Sequence, residues 1–176
     1  LAPSGGQRFV QVASSADAAD WSAFELIRLR GFTPALGDVY FFAVQENPAD
    51  PTSLLAVFPM VHRAKACISI SFSTDARNWT VPQPLLTCAA AGDRSVHQPA
   101  APAMVRRRGK VYLYIHENVP SIRIDGRTPE RLRTRLHQQL QLHVVRSRIV
   151  RYSFPLARLR RWTYEALRRQ ATETDL

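Results

Sequence analysis

The sequence predicts a mainly β chain of repeated antiparallel meanders, with one or two α-helices added toward the C-terminus. Three observations carry that reading. A polar turn ending in tryptophan occurs twice at one internal spacing, and a Gly-x-Val-Tyr strand start also occurs twice. Apolar residues at helical spacing appear only in the C-terminal part.

The turn comes first. Ser15-Ala16-Asp17-Ala18-Ala19-Asp20-Trp21 and Ser73-Thr74-Asp75-Ala76-Arg77-Asn78-Trp79 share the pattern S-x-D-x-x-x-W, 58 residues apart (15 to 73). Each follows an alternating, strand-like run, "RFVQVASS" and "CISISFS", and each Trp precedes a small hydroxyl residue, Ser22 or Thr80. "RIVRYSFPLARLRRWT" is a weaker echo that keeps only Trp162-Thr163. The Asp carboxylate can accept bonds from backbone N–H groups two or three residues on, and the Ser can tie the incoming strand to the turn. Trp79 then places its ring between neighbouring sheets, where burial contributes roughly 1.5–3 kcal/mol or more. One such turn fits any hairpin with a core Trp. Two at one spacing imply a repeated unit whose turn residues hold the structure together.

The strand starts come next. "GDVYFFAVQENP" (Gly37 to Pro48) is answered by "GKVYLYIHENVP" (Gly109 to Pro120), 72 residues later (37 to 109). Both read as a turn glycine feeding an aromatic, β-branched strand, and "VRRRGK" before the second reads as a hairpin tip. The implied unit is a Gly-x-Val-Tyr strand, two further strands, a polar turn and a Trp. "TPERLRTRLHQQLQLH" predicts a helical insertion near 129–143, with Thr128 as N-cap, Pro129 at the first helical position and Glu130 in the first turn. Leu132, Leu136 and Leu140 form its apolar stripe. A second helix over 156–170 presents Leu159, Trp162, Ala166 and Leu167 on one face. Both stripes read as packing surfaces of a single domain spanning 1–176.

The turn and the strand start resemble those of the five-bladed β-propeller glycosidases of arabinanase, fructosidase and mannoside phosphorylase type. Sialidase Asp-boxes are a looser parallel. The resemblance covers residues 7–155, with Ala18 and Ala76 standing where the family has glycine. It implies antiparallel blades of an incomplete β-propeller, about two to three in a chain this long, forming the C-terminal part of a larger ring. The open face would be covered by missing N-terminal blades, a partner chain or the helices.

The same resemblance implies carbohydrate recognition, with glycoside hydrolysis as the reaction. The family's innermost strand often begins Arg-Asp-Pro; here Val96-His97-Gln98-Pro99 puts Gln98 in the place of the Asp. An amide can bond sugar hydroxyls but cannot act as a base. Hydrolysis needs two carboxylates, and the strand-borne candidates are Glu46 and Glu117, in the like contexts "QENP" and "HENVP". Glu117 is the expected catalytic acid, with Glu46, His97, Gln98 and His116 as sugar contacts. The plainer reading makes both glutamates hydrogen-bonded rim residues at strand ends.

Charge opens a different class. The chain of 176 residues carries a net +10, with 22 Arg against 2 Lys. It reads either as a solvated basic surface or as an interaction module binding RNA or acidic glycans through the C-terminal arginines. A non-catalytic propeller scaffold is the third reading. No P-loop, Rossmann glycine pattern, Gly-x-Ser-x-Gly elbow or His-Glu-x-x-His helix occurs, so no cofactor is expected. The five histidines and two cysteines lack metal-ligand spacing, so no metal is expected either. No apolar run reaches the roughly 18 residues of a transmembrane segment. Cys67 and Cys88 flank the second turn symmetrically and, if the strands pair, suit a disulfide worth about 3 kcal/mol. Reduced, buried cysteines are the alternative. With the sequon Asn78-Trp79-Thr80, the bridge points to a secreted or luminal protein.

Overall fold

The computed structural model describes residues 8–33, 36–39, 41–62, 65–86, 89–90, 95–120, 134–135, 138 and 147–172. It is mainly β. Short strands β1 (Gln11–Val12), β2 (Glu25–Leu26) and β3 (Arg28–Leu29) lead into β4 (Gly37–Val39), β5 (Ala43–Asn47), β6 (Asp50–His62) and β7 (Lys65–Ser73). After the second polar turn come β8 (Asn78–Trp79), β9 (Gln83–Pro84), β10 (Ala89–Ala90), β11 (Ser95–Arg107), β12 (Lys110–Pro120) and β13 (Arg148–Pro155). A helix over Leu156–Thr172 completes the described chain.

The apolar run Leu54–Pro59 makes β6 a strand buried on both faces, and Leu55, Ala56, Val57 and Phe58 are all 0% exposed. It pairs antiparallel with β7 on one edge and with β4 and β5 on the other, while β9 and β10 continue the sheet beyond β7. The implied unit is therefore present here: strand, second strand, third strand, polar turn, Trp. Its first strand is interrupted, since Phe41 takes a φ of 51° between β4 and β5. Leu55 and Val57 join Ile68, Ile70 and Phe72 in one core, which meets β11, β12 and the helix. Ala56 and Phe58 face a second core with Ile27, Leu29, Phe32, Val39 and Trp79.

The 58-residue repeat holds bond by bond. Gln11 and Val12 of β1 pair with Leu26 and Glu25, and 58 residues on, Ser69 and Ile70 of β7 pair with Pro84 and Gln83. Ser22 N–H donates to the Ser14 carbonyl at 2.9 Å, as Thr80 N–H does to that of Phe72. The Ser22 hydroxyl accepts from Ser14 N–H at 3.0 Å, as the Thr80 hydroxyl does from Phe72 N–H. In both turns the Ser hydroxyl donates to the Asp Oδ1, which also accepts the N–H groups two and three residues on, at 2.7–3.0 Å. Ala18 and Ala76 both adopt a φ of 62°, the left-handed conformation that glycine supplies without strain.

Both turn carboxyls are held down to about 2. At Asp17 the Asp20 N–H bond is the main cause, followed by that of Ala19. At Asp75 burial pushes upward and is outweighed by donors on Asn78, Arg77 and Ser73.

The two tryptophans differ: Trp79 is buried, as its turn implies, and its counterpart Trp21 is not. Trp79 is 1% exposed and bonds its indole N–H to the Ala76 carbonyl, with Phe42 edge-on at 4.9 Å. Trp21 is 63% exposed. The weaker echo is not a turn at all, because Trp162 lies on the C-terminal helix against Phe154, 5.5 Å between ring centroids.

The second sheet runs β11–β12–β13. Arg108 and Gly109, with φ of 48° and 73°, form the two-residue tip between the paired Arg107 and Lys110, as a type I′ hairpin turn requires. Between Pro99 and Met104 β11 bulges, since those residues face Ile115 and Leu113 on β12. There the Gln45 amide bonds both backbone groups of Met104, at 2.9 and 2.8 Å, and stitches the two sheets together. The helix buries Leu156, Leu159 and Ala166 in the first core. Asn47 Nδ2 donates to Ser53 and to Thr163 on the helix, at 3.0 and 2.9 Å. Arg30 reaches the helix end and donates to the Arg169 and Gln170 carbonyls, at 3.3 and 3.1 Å.

Of the expected insertion near 129–143, Thr134, Arg135 and Gln138 are helical and the rest lies outside the described residues. There is no disulfide among the described residues; Cys88 and the Cys67 side chain lie outside them. The backbone of β10 pairs Ala89 with Ala66, the chain neighbours of Cys88 and Cys67.

Two stability measurements follow from the turns. Trp79→Ala should cost about 3–5 kcal/mol in urea unfolding, whereas Trp21→Ala should change stability by less than about 0.5 kcal/mol. Ala76→Gly should raise stability by about 0.5–1 kcal/mol, because the left-handed penalty it relieves exceeds the added chain entropy of glycine. A lowered thermal midpoint in that variant would contradict the strain.

Candidate functional site

Strand alternation on β12 decides which side chains meet. Val111, Leu113, Ile115 and Glu117 are buried on the inner face, while Tyr112, Tyr114 and His116 lie half-buried on the outer one. His116 and Glu117 therefore point to opposite sides of the sheet, and the expected cluster of His97, Gln98, His116 and Glu117 is divided. Gln98 pairs directly with His116, whose ring bonds the Ser147 hydroxyl.

Glu117 belongs to the inner group. It sits opposite Arg148 in the register, and Arg148 Nε and Nη2 both donate to its Oε2 at 3.2 Å. The Tyr152 hydroxyl donates to Oε1. The Tyr152 bond, the Arg148 bonds and the nearness of His97 hold the carboxyl below its ordinary range, although burial works against them. The same bond pushes the Tyr152 phenol up. His97 Nδ1 is buried without a hydrogen-bond partner. A general acid needs a raised pKa, so these surroundings favour an ionised clamp over a proton donor. Glu46 is exposed on β5, in the other sheet, so the two candidate carboxylates belong to different sheets.

The outer face carries an arrangement that sequence reading missed. An open cleft of about 410 Å³ lies over Ile27, Leu29 and Trp79, but Arg30 on its rim already binds the helix end. A second cleft, about 370 Å³, is lined by Val105, Arg107, Arg108, Tyr112, Tyr114 and Arg151. The hairpin tip supplies Arg107 and Arg108, β12 supplies both tyrosines, and the register sets Arg151 opposite Tyr114. The Arg151 guanidinium lies 5.3 Å from the Tyr112 ring centre, within cation–π range. Among the described residues no carboxylate lines this cleft. The signal in the sequence was the period of two in "VYLY", which puts both tyrosines on one face.

Among the described residues no group of three or more His, Cys, Asp or Glu is placed to hold a metal ion. No helix among them is long and apolar enough to cross a membrane. No family model, curated protein or solved structure matches this chain.

The Glu117 clamp sets a pH dependence. Because its folded pKa is depressed, its contribution is full above the unfolded value and is lost as pH falls below 4.5 and through the lower folded value. Glu117→Gln should cost about 1–2 kcal/mol at pH 7, discounted for the exposure of Arg148. Urea unfolding of both proteins at pH 7 and pH 3 should show the gap narrowing at the lower pH.

Proposed function

We propose that this protein recognises carbohydrate, and that its ligand is an acidic glycan laid across Tyr112 and Tyr114. The observation that carries the reading is the cleft in which two tyrosines of one strand face are ringed by Arg107, Arg108 and Arg151. Tyrosine rings offer flat apolar surface to the C–H face of a sugar ring and keep a hydroxyl for its polar edge. Guanidinium groups suit carboxylate or sulfate through paired, charge-assisted bonds. The repeated Ser-x-Asp turns and the antiparallel meander support a wider reading of the chain as two to three blades of a glycosidase-like propeller. Hydrolysis is the weaker part of that reading: Glu117 is clamped as an anion and Gln98 is an amide, so binding without turnover fits the residues better.

The basic-module reading has its own support in the net charge of +10, and because that module would also accept an acidic glycan, one titration series separates the proposal from its RNA-binding form. A uronic-acid or sulfated oligosaccharide, a neutral oligosaccharide and a single-stranded RNA are each titrated at two salt concentrations. The acidic glycan should bind, with affinity falling as salt rises, and Arg151→Ala should weaken it about tenfold, or 1.4 kcal/mol. RNA binding tighter than the glycan would favour the basic module. Failure of the acidic glycan to bind would end the proposal.

A further inference from the structure

The two polar turns are built alike, yet only one has its tryptophan covered. Over Trp79, β3 runs parallel to β8. Arg28 N–H donates to the Arg77 carbonyl at 2.8 Å and Arg30 N–H to the Trp79 carbonyl at 3.1 Å. Ile27, Leu29 and Phe32 then pack in the same core as the ring. At the equivalent turn Trp21 is 63% exposed, and Phe24 and Leu26 just after it are 73% and 57% exposed. Singly exposed apolar residues are ordinary; what singles these out is that they belong to or follow a turn whose counterpart, built by the same bonds, has its tryptophan covered.

From this asymmetry we infer that Trp21, Phe24 and Leu26 form the docking edge for a preceding unit of the same repeat in the same polypeptide. The occupant is an extended segment of the Ile27-Arg28-Leu29 kind, laid parallel to Asp20–Trp21, with the Ala19 and Trp21 carbonyls as its acceptors.

The junction between the two visible units is charged, through Arg77 of the second turn to Glu25 at 3.7 Å and to the Ser14 hydroxyl at 3.2 Å. Topology supports a source in the same chain. β7 pairs along its length with β6, which immediately precedes it, whereas the equivalent β1 is two residues long and pairs only with β2 among the described strands. A strand in the place of β6 comes from chain N-terminal to β1. The inference is independent of the glycan reading, since the edge and the tyrosine cleft share no residue.

Hydroxyl-radical footprinting read by mass spectrometry tests it, with buried Trp79 as the internal reference. The 176-residue chain is labelled at low and high concentration and compared with the protein purified from its native source. Trp21 should label strongly in the 176-residue chain at every concentration and fall to the level of Trp79 in the native-source protein. Strong labelling of Trp21 in the native-source protein would overturn the inference. Protection that grows with concentration of the 176-residue chain would also overturn it, and would name a second copy as the occupant. Trp21→Ala gives a separate readout: it should lower the unfolding midpoint of the native-source form and leave that of the 176-residue chain unchanged.

Discussion

A hairpin without a solvent face sets the terms for the rest of this chain. β6 and β7 bury both sides, so each needs covering layers on both. Leu55, Val57, Ile68, Ile70 and Phe72 draw the helix and the second sheet onto one side, and Ala56 and Phe58 draw the first repeat unit and Trp79 onto the other. The second side is reached by an unusual route. Ser69, Ser71 and Ser73, which alternate with the apolar residues of β7, are buried too. Buried hydroxyls are costly unless bonded, and Ser71 donates to the Thr80 carbonyl at 2.7 Å while Ser73 donates to Asp75 at 3.0 Å. Small residues at these positions leave room for the Trp79 ring. The polar turn thus satisfies Ser71 and Ser73 as well as reversing the chain, whereas the buried Ser69 hydroxyl has no hydrogen-bond partner among the described residues.

What the sequence revealed was local chemistry. An Asp that collects neighbouring N–H groups, a two-residue hairpin tip and an apolar stripe at helical spacing need no distant partner, and each is present. What the sequence did not show mostly involves partners far along the chain. "CISISFS" alternates as a half-solvated strand does, and nothing local says that another unit covers its serines. Trp21 and Trp79 close the same Ser-x-Asp-x-x-x-Trp pattern, and distant partners, β3 some fifty residues before Trp79 with Phe42 and Phe58, make only one of them core. His116 and Glu117 sit side by side in the sequence, and the pleat separates them. That last separation was legible in principle, because "VYLYIHE" already assigns His to the tyrosine face and Glu to the Val-Leu-Ile face.

The arginines divide in a way that composition alone does not show. Arg30 closes the end of the helix, Arg77 joins the first unit to the second turn, Arg106 bonds the Pro48 carbonyl at 3.4 Å, and Arg148 clamps Glu117. These charges are part of the framework, and a basic net charge overstates the surface left for a polyanion. Arg107, Arg108 and Arg151 differ because they converge on an open cleft with aromatic walls. Convergence, more than total charge, distinguishes a binding surface from a solvated one.

Recognition and catalysis make opposite demands on the second sheet. A general acid must change protonation during turnover, and Glu117 is placed where doing so would loosen the contacts of Arg148 and Tyr152, both on β13, with β12. Loss of that charge would also leave the guanidinium without its carboxylate partner, a cost that grows with burial of the pair. The outer face carries no such burden. Tyr112, Tyr114 and Arg151 stand away from both cores, so ligand contacts there can form without disturbing the inner packing. The pleat gives β12 one face that holds the fold and another that is free to bind.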